Sequence, residues 1–185
     1  MPNAYIPREQ VHAWSEDIGH NVANHQAALT RLLKDQRRLT RWLEENAANM
    51  SPGTASVGAY LFGVIARIYD LAGGRLKAAT WAQLREAEAR VGQAVSDLLP
   101  LDGFETRLRE LDWRAQPHIL DEAWMALFER DVDSEEEVAL EPEESLKLFL
   151  CMWVATEVLD GNWKPGRSFE GHSDYVHTPM EDSGN

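Results

Sequence analysis

Residues 57–72, VGAYLFGVIARIYDLA, restrict the fold more than any other stretch of the chain. At about 100° per residue, their apolar side chains cover nearly the whole circumference of a helix, and only Gly63, Arg67 and Asp70 fall in the remaining polar strip. A helix apolar on almost all sides needs neighbours on almost all sides, so other elements must wrap it. The run is shorter than the roughly 20 residues that cross a bilayer, and it carries Arg67 and Asp70 in its second half. It is therefore expected in a protein core and not in a membrane.

The segments available to wrap it are helical. Over residues 9–46, Val11, Trp14, Ile18, Val22, His25, Leu29, Leu32, Leu33, Gln36, Leu39 and Leu43 stay within an arc of about 120°, which reads as one long amphipathic helix or two sharing a phase. A period near 3.6 suits packing in a globular bundle, because a strict heptad would drift. Gly19, Asn21 and Asn24 are poor helix formers that could break it, although the preserved phase argues for continuity.

Downstream, Ser51-Pro52-Gly53-Thr54 reads as a turn into the apolar helix, and Gly73-Gly74 as its end. Thr80 with Gln83 forms a capping-box pattern for a helix running to about Leu99, with Trp81, Leu84, Ala87, Val91, Ala94, Val95 and Leu98 as its apolar stripe. Asp102 and Glu105 mark a weaker cap before Phe104, Leu108 and Leu111. Pro117 opens a helix with Ile119, Leu120, Ala123, Trp124, Leu127 and Phe128 inward and His118, Glu122 and Glu129 outward. Pro142 opens the last helix, to about Leu159, and its LKLFLCMWVATEVL is again apolar nearly all round.

No segment reads as a strand. The expected architecture is an all-α bundle of five to seven helices around 57–72, formed by residues 1–160, with 161–185 as a flexible C-terminal tail rich in Gly, Pro, Ser and charge. Trp14, Trp81, Trp124 and Trp153 all lie on apolar faces and are expected in the core.

Charge is segregated. The net −13 divides into +1 over residues 1–100 and −14 over 101–185, and residues 121–144 alone hold eleven acids and one arginine. Such a block repels itself and any nucleic-acid backbone, so nucleic acid is not an expected partner. It reads as a solvated acidic connection over 131–141, or as a docking segment for a basic partner. Its DVDSEE does not make a calcium loop, because Glu136 stands where that loop needs glycine and Pro142 where it needs glutamate. On the polar face of the first helical stretch, Arg31, Lys34, Arg37, Arg38 and Arg41 cluster within about 120°, relieved only by Asp35. This basic face is either solvated, a complement to the acidic segment, or an anion site.

The usual chemical signatures are missing from the sequence: no Gly-rich phosphate loop, GxSxG, HExxH or CxxC. The single Cys151 excludes an intramolecular disulfide and a cysteine-rich zinc site within one chain, and it sits in an all-apolar helix. Asp17 and His20 have a metal-bundle spacing that does not recur, and His172 and His177 lie in the expected tail, so neither metal nor cofactor is expected.

What remains are polar residues in apolar surroundings: His25, Gln36, Arg67, Asp70 and Glu157. They either pair off locally, Arg67 with Asp70, His25 in a core hydrogen bond and Glu157 exposed at a helix end, or converge as a polar pocket inside the bundle. The opening MPNAYIPREQ has no secretory n- and h-region, so the protein is expected in the cytoplasm. The leading expectation is a non-enzymatic acidic helical protein acting through protein–protein contacts, as an oligomer or a regulatory partner. The alternative is a helix-bundle small-ligand binder or enzyme using the buried polar residues.

Overall fold

Helix propensity and apolar periodicity carry most of the chain into helices, and the breaks fall where a side chain has somewhere better to go. The computed structural model describes residues 2–129, 139–173 and 175. Among them are eight helices: α1 (Arg8–His20), α2 (Val22–Asp35), α3 (Arg37–Ala47), α4 (Pro52–Ala72), α5 (Trp81–Leu98), α6 (Phe104–Arg109), α7 (Pro117–Phe128) and α8 (Pro142–Asn162). The fold is all-α. The helix count exceeds the expected range because the long stretch 9–46 breaks twice.

At Asn21 the backbone leaves the helix at φ −123°, and the side-chain amide donates to Asp17 Oδ1 at 2.7 Å. At Gln36 it leaves at φ −95°, freeing the side chain to bond the loop after α4. The break at Asn21 follows its low propensity. The break at Gln36 carries no local signal. Val22, expected in the apolar stripe, is exposed beside the first break.

α4 and α8 run side by side in the same direction. Glu144 at the start of α8 accepts from the Ser51 N–H at 3.0 Å and from the Thr54 hydroxyl, Gly58 meets Leu148, and the Tyr69 hydroxyl donates to Thr156 O at 3.2 Å. A Cβ at Gly58 would stand 2.7 Å from Leu148 Cδ2, so glycine sets how closely the two helices approach. α4 reaches 21 residues, long and apolar enough to cross a membrane by length and composition; here half of its most apolar window is buried, against α1, α2, α3 and α8. α8 shares the centre and is the more enclosed, packed by α3, α4, α5 and α7, with Trp153 and Leu159 fully buried.

Several expectations at the edges change. Residues 161–173 and Tyr175 are held on the body, so the boundary at 160 moves; the rest of the expected tail, His177 included, lies outside the described residues, as does most of the acidic connection 131–141. Trp163 and Lys164 form β2, paired antiparallel with β1 (Arg75–Leu76), a two-residue ribbon that nothing in the sequence pattern announced. Trp163 is buried, donates Nε1–H to Gly73 O at 2.8 Å, and packs edge-on against Tyr69 and Phe169.

The Thr80–Gln83 capping box forms as expected. Asp102 does not cap α6, which starts instead from Gly103 in the left-handed region, its approach tied down by Arg107 on Leu98 O and Asp102 O. Trp153 lies in the core, Trp14 and Trp124 are half-buried, and Trp81 and Phe128 are exposed.

Candidate functional site

The five buried-polar candidates separate into three places. His25, Arg67 and Asp70 join Asp17 and Arg31 in one chain of contacts across α1, α2 and α4. Arg67 Nε donates to His25 Nδ1 at 3.2 Å, and because arginine can only donate, His25 must carry its proton on Nε2, which reaches Asp17 Oδ2 at 2.8 Å. Arg67 also pairs with Asp70, whose carboxylate receives Arg31 Nη2 at 2.9 and 3.0 Å. Hydrogen bonds from His25 and Asn21 hold the Asp17 carboxyl below its ordinary value. The chain runs from Asp17 to Arg31, with exposed groups at both ends. It binds three helices together and leaves its members occupied.

Gln36 stands apart. Its side chain, 2% exposed, donates to Lys77 O at 3.0 Å and accepts from the Ala79 N–H at 3.0 Å, so it satisfies two backbone groups of the loop between α4 and α5.

Glu157 is buried, not exposed at a helix end. Its Oε1 accepts from the Ala115 N–H at 2.8 Å and Trp153 Nε1–H at 3.1 Å, and its Oε2 from Arg90 Nη2 at 2.6 Å. Burial pushes its carboxyl up, against the lowering effect of those three donors. Arg90 lies over the Trp113 ring at 5.1 Å, and Trp113 stacks on Trp153 at 5.4 Å. These groups border an open cavity of about 530 Å³, lined among others by Arg90, Asp112, Trp113, Glu157, Asp160 and Gly161. Of the five candidates, Glu157 alone borders it.

The residues that hold this cavity together lie in a turn, Trp113-Arg114-Ala115-Gln116-Pro117-His118, of which only Pro117 and His118 stand out in the sequence. Gln116 takes φ +43°, a strained angle for a non-glycine residue, and its buried side chain accepts from the Ile6 N–H at 2.8 Å while donating to Ala4 O at 3.0 Å and Asp160 Oδ1 at 2.9 Å. Asp160 Oδ2 in turn accepts from the Asn3 N–H at 2.9 Å. The available signal was Pro117, which disfavours a right-handed helical conformation at Gln116. The burial of the turn has no local signature.

His118, expected outward, is buried between Tyr5 and Tyr175, with ring centroids at 6.4 and 5.3 Å. Glu122, also expected outward, is largely covered and meets His12 Nδ1 at 3.0 Å across α1 and α7. Burial lowers the His118 pKa from the ordinary 6.5, with Asp121 opposing. The folded protein thus takes a proton at His118 less readily than the unfolded chain, so this group's stabilising effect is complete above pH 6.5 and is lost as the pH falls below it. Urea midpoints at about pH 7.5 and about pH 5.5 should show the fall, and His118→Asn should reduce it.

Cys151 is buried beside α3 and α5, where burial pushes its thiol up to about 11 and removes it as a nucleophile at neutral pH. Asp17 and His20, the candidate metal pair, are engaged elsewhere, Asp17 with His25 and His20 with Glu16 O at 2.8 Å.

The basic side chains of α2 and α3 lie beside further cations of the ribbon. Arg31, Lys34, Arg37 and Arg41 are exposed along α2 and α3, and Arg38 donates to Ala79 O at 3.3 Å. That contact, with the bond from Gln36 to Lys77 O, brings the ribbon alongside, where Arg75 and Lys164 are directly opposed. Eight of the chain's 18 lysines and arginines lie along these elements: Arg31, Lys34, Arg37, Arg38, Arg41, Arg75, Lys77 and Lys164. Asp35, Glu44 and Glu45 are the acids of α2 and α3, and Asp70 of α4 pairs with Arg31.

Comparison of the chain with protein-family models, with curated proteins and with solved structures finds no match.

Proposed function

We propose that the protein acts by contact, docking an acidic protein segment on the basic ridge formed by α2, α3 and the β1–β2 ribbon. The carrying observation is the opposition of Arg75 and Lys164 across the ribbon beside five further cations of α2 and α3. Like charges directly opposite one another destabilise a ribbon, so this arrangement favours an incoming anion. The chain's own residues 131–141, DVDSEEEVALE, are a segment of the required kind, so a second copy is one such partner. The overall charge of −13 favours a short acidic peptide over a long polyanion, whose approach the rest of the molecule would oppose. The protein would do this in the cytoplasm, as a regulatory or self-associating partner.

The reading is tested with a fluorescently labelled peptide of sequence 131–141, followed by anisotropy. Saturable binding is expected at about 50 mM salt and should weaken steeply by about 300 mM. The double change Lys34→Glu, Arg37→Glu should abolish it, because both side chains are exposed on the ridge. No binding at low salt, or binding indifferent to the double change, would sink the proposal.

A further inference from the structure

The cavity at Glu157 is independent of the basic ridge. We infer that it is a binding site for a small organic cation headed by a guanidinium group, and that Arg90 occupies the head-group position from within while the site is empty.

The charges around the cavity do not balance. Asp112, Glu157 and Asp160 border it against one cation, Arg90. The other groups bonded to Glu157 and Asp160 are neutral: the Ala115 N–H and Trp153 Nε1–H on Glu157, and the Asn3 N–H and Gln116 amide on Asp160. Both acids lie in the C-terminal turns of α8, where the helix dipole already favours a cation, and the last turn of α8 has no basic residue of its own. An incoming cation would therefore meet a negative site.

Arg90 shows what the site accommodates. Its guanidinium bonds the Glu157 carboxylate and lies over the face of Trp113, the pair of contacts by which proteins hold organic cations. The partners differ in exposure: the Glu157 side chain is 3% exposed and fixed by two N–H donors, whereas that of Arg90, from α5, is 52% exposed. Swinging Arg90 into water costs little on the arginine side, while Glu157 stays buried with Oε2 unpaired, an arrangement that favours another cation, or a proton, in its place. At about 530 Å³ the cavity is within the roughly 300–1,000 Å³ of small-molecule sites. A second cavity of about 190 Å³, sharing Arg90, Glu157 and Gly161 with the first, receives the displaced arginine or the tail of the ligand.

Arg90 is then an internal competitor, and deleting it should strengthen binding of an external guanidinium. The experiment titrates agmatine into the full chain by calorimetry, with sodium chloride at matched ionic strength as the control. Tryptophan emission, compared with that of Trp113→Ala, gives a second readout. Arg90→Ala is expected to bind agmatine about tenfold more tightly than the unaltered protein, and agmatine should raise the melting temperature of that variant. Glu157→Gln should lose the binding. Trp113→Ala, which removes the aromatic face and leaves the carboxylate, should weaken it and covers the case in which Glu157→Gln does not fold. An Arg90→Ala protein that gains no affinity and no thermal shift would overturn the proposal, as would agmatine binding that survives both other changes.

Discussion

Replacing Trp153 with alanine should lower the unfolding free energy by about 3–5 kcal/mol. Its indole is fully buried in the middle of α8, stacked on Trp113 at 5.4 Å and close to Phe149 at 6.5 Å. Truncation removes those contacts and leaves a void in a helix packed on every side, where no neighbour can collapse without moving another. It also removes one of the two N–H donors on Glu157 Oε1, leaving a buried carboxylate less well held. Trp153→Phe largely separates the two effects, because it keeps most of the apolar volume while deleting the N–H. Its cost should be nearer 1–2 kcal/mol, roughly the share expected of a hydrogen bond to a charged group. Urea denaturation of both variants at one pH checks this; an alanine variant within about 1 kcal/mol of the parent would contradict the central position given to α8.

Gly74→Ala should cost about 3 kcal/mol or open the ribbon altogether. Gly74 takes φ +90°, and a Cβ there would stand 2.3 Å from Lys164 O and 2.6 Å from Gly166 N. Both are backbone atoms with no rotamer to escape into, so the strand carrying Trp163 must move. Gly73 provides the control: it has φ +78°, yet its Cβ would meet nothing within 4 Å. Gly73→Ala should thus show only the backbone strain of φ +78°, ψ −176°, a region almost confined to glycine, about 1–3 kcal/mol, and should remain the milder of the two changes. Melting temperatures of the two variants measure the difference, and equal values would show that the ribbon does not press against Gly74.

The fold was legible wherever a signal is local. Pro117 and Pro142 stand at helix starts, Thr80 and Gln83 form their box, and the apolar circumference of 57–72 belongs to a wrapped helix, although 51–54, read as a turn, is the N-cap and first turn of α4. The site was legible only in part, because burial of a polar residue depends on what arrives from elsewhere. His25, Arg67 and Asp70 could be picked out from one helix face each, and the structure links them. Glu157 could be identified as polar among apolar neighbours, but its partners Ala115 and Arg90 come from distant parts of the chain. His118 was misplaced because its helical position faces away from α7's own apolar stripe, while Tyr5 and Tyr175, from the two ends of the described chain, cover it. The same cause extends the body beyond residue 160: a Gly- and Pro-rich stretch looks mobile until Trp163 finds Tyr69 and Gly73.

The strap of residues 3–6 bears on the order of folding. Asn3 reaches Asp160 across 157 positions, and Ile6 reaches Gln116 across 110. Loops of that length close slowly, and only after the entropy of the intervening chain has been offset by other contacts. Helices α1 to α4 can form and pack while the strap has nothing to bind, since its anchors, Gln116 just before α7 and Asp160 in α8, come late in the chain. On a ribosome, these early residues would be among the last to settle. Until they do, the Gln116 amide and the Asp160 carboxylate remain hydrated, and the interior of the bundle is closed last from its polar side.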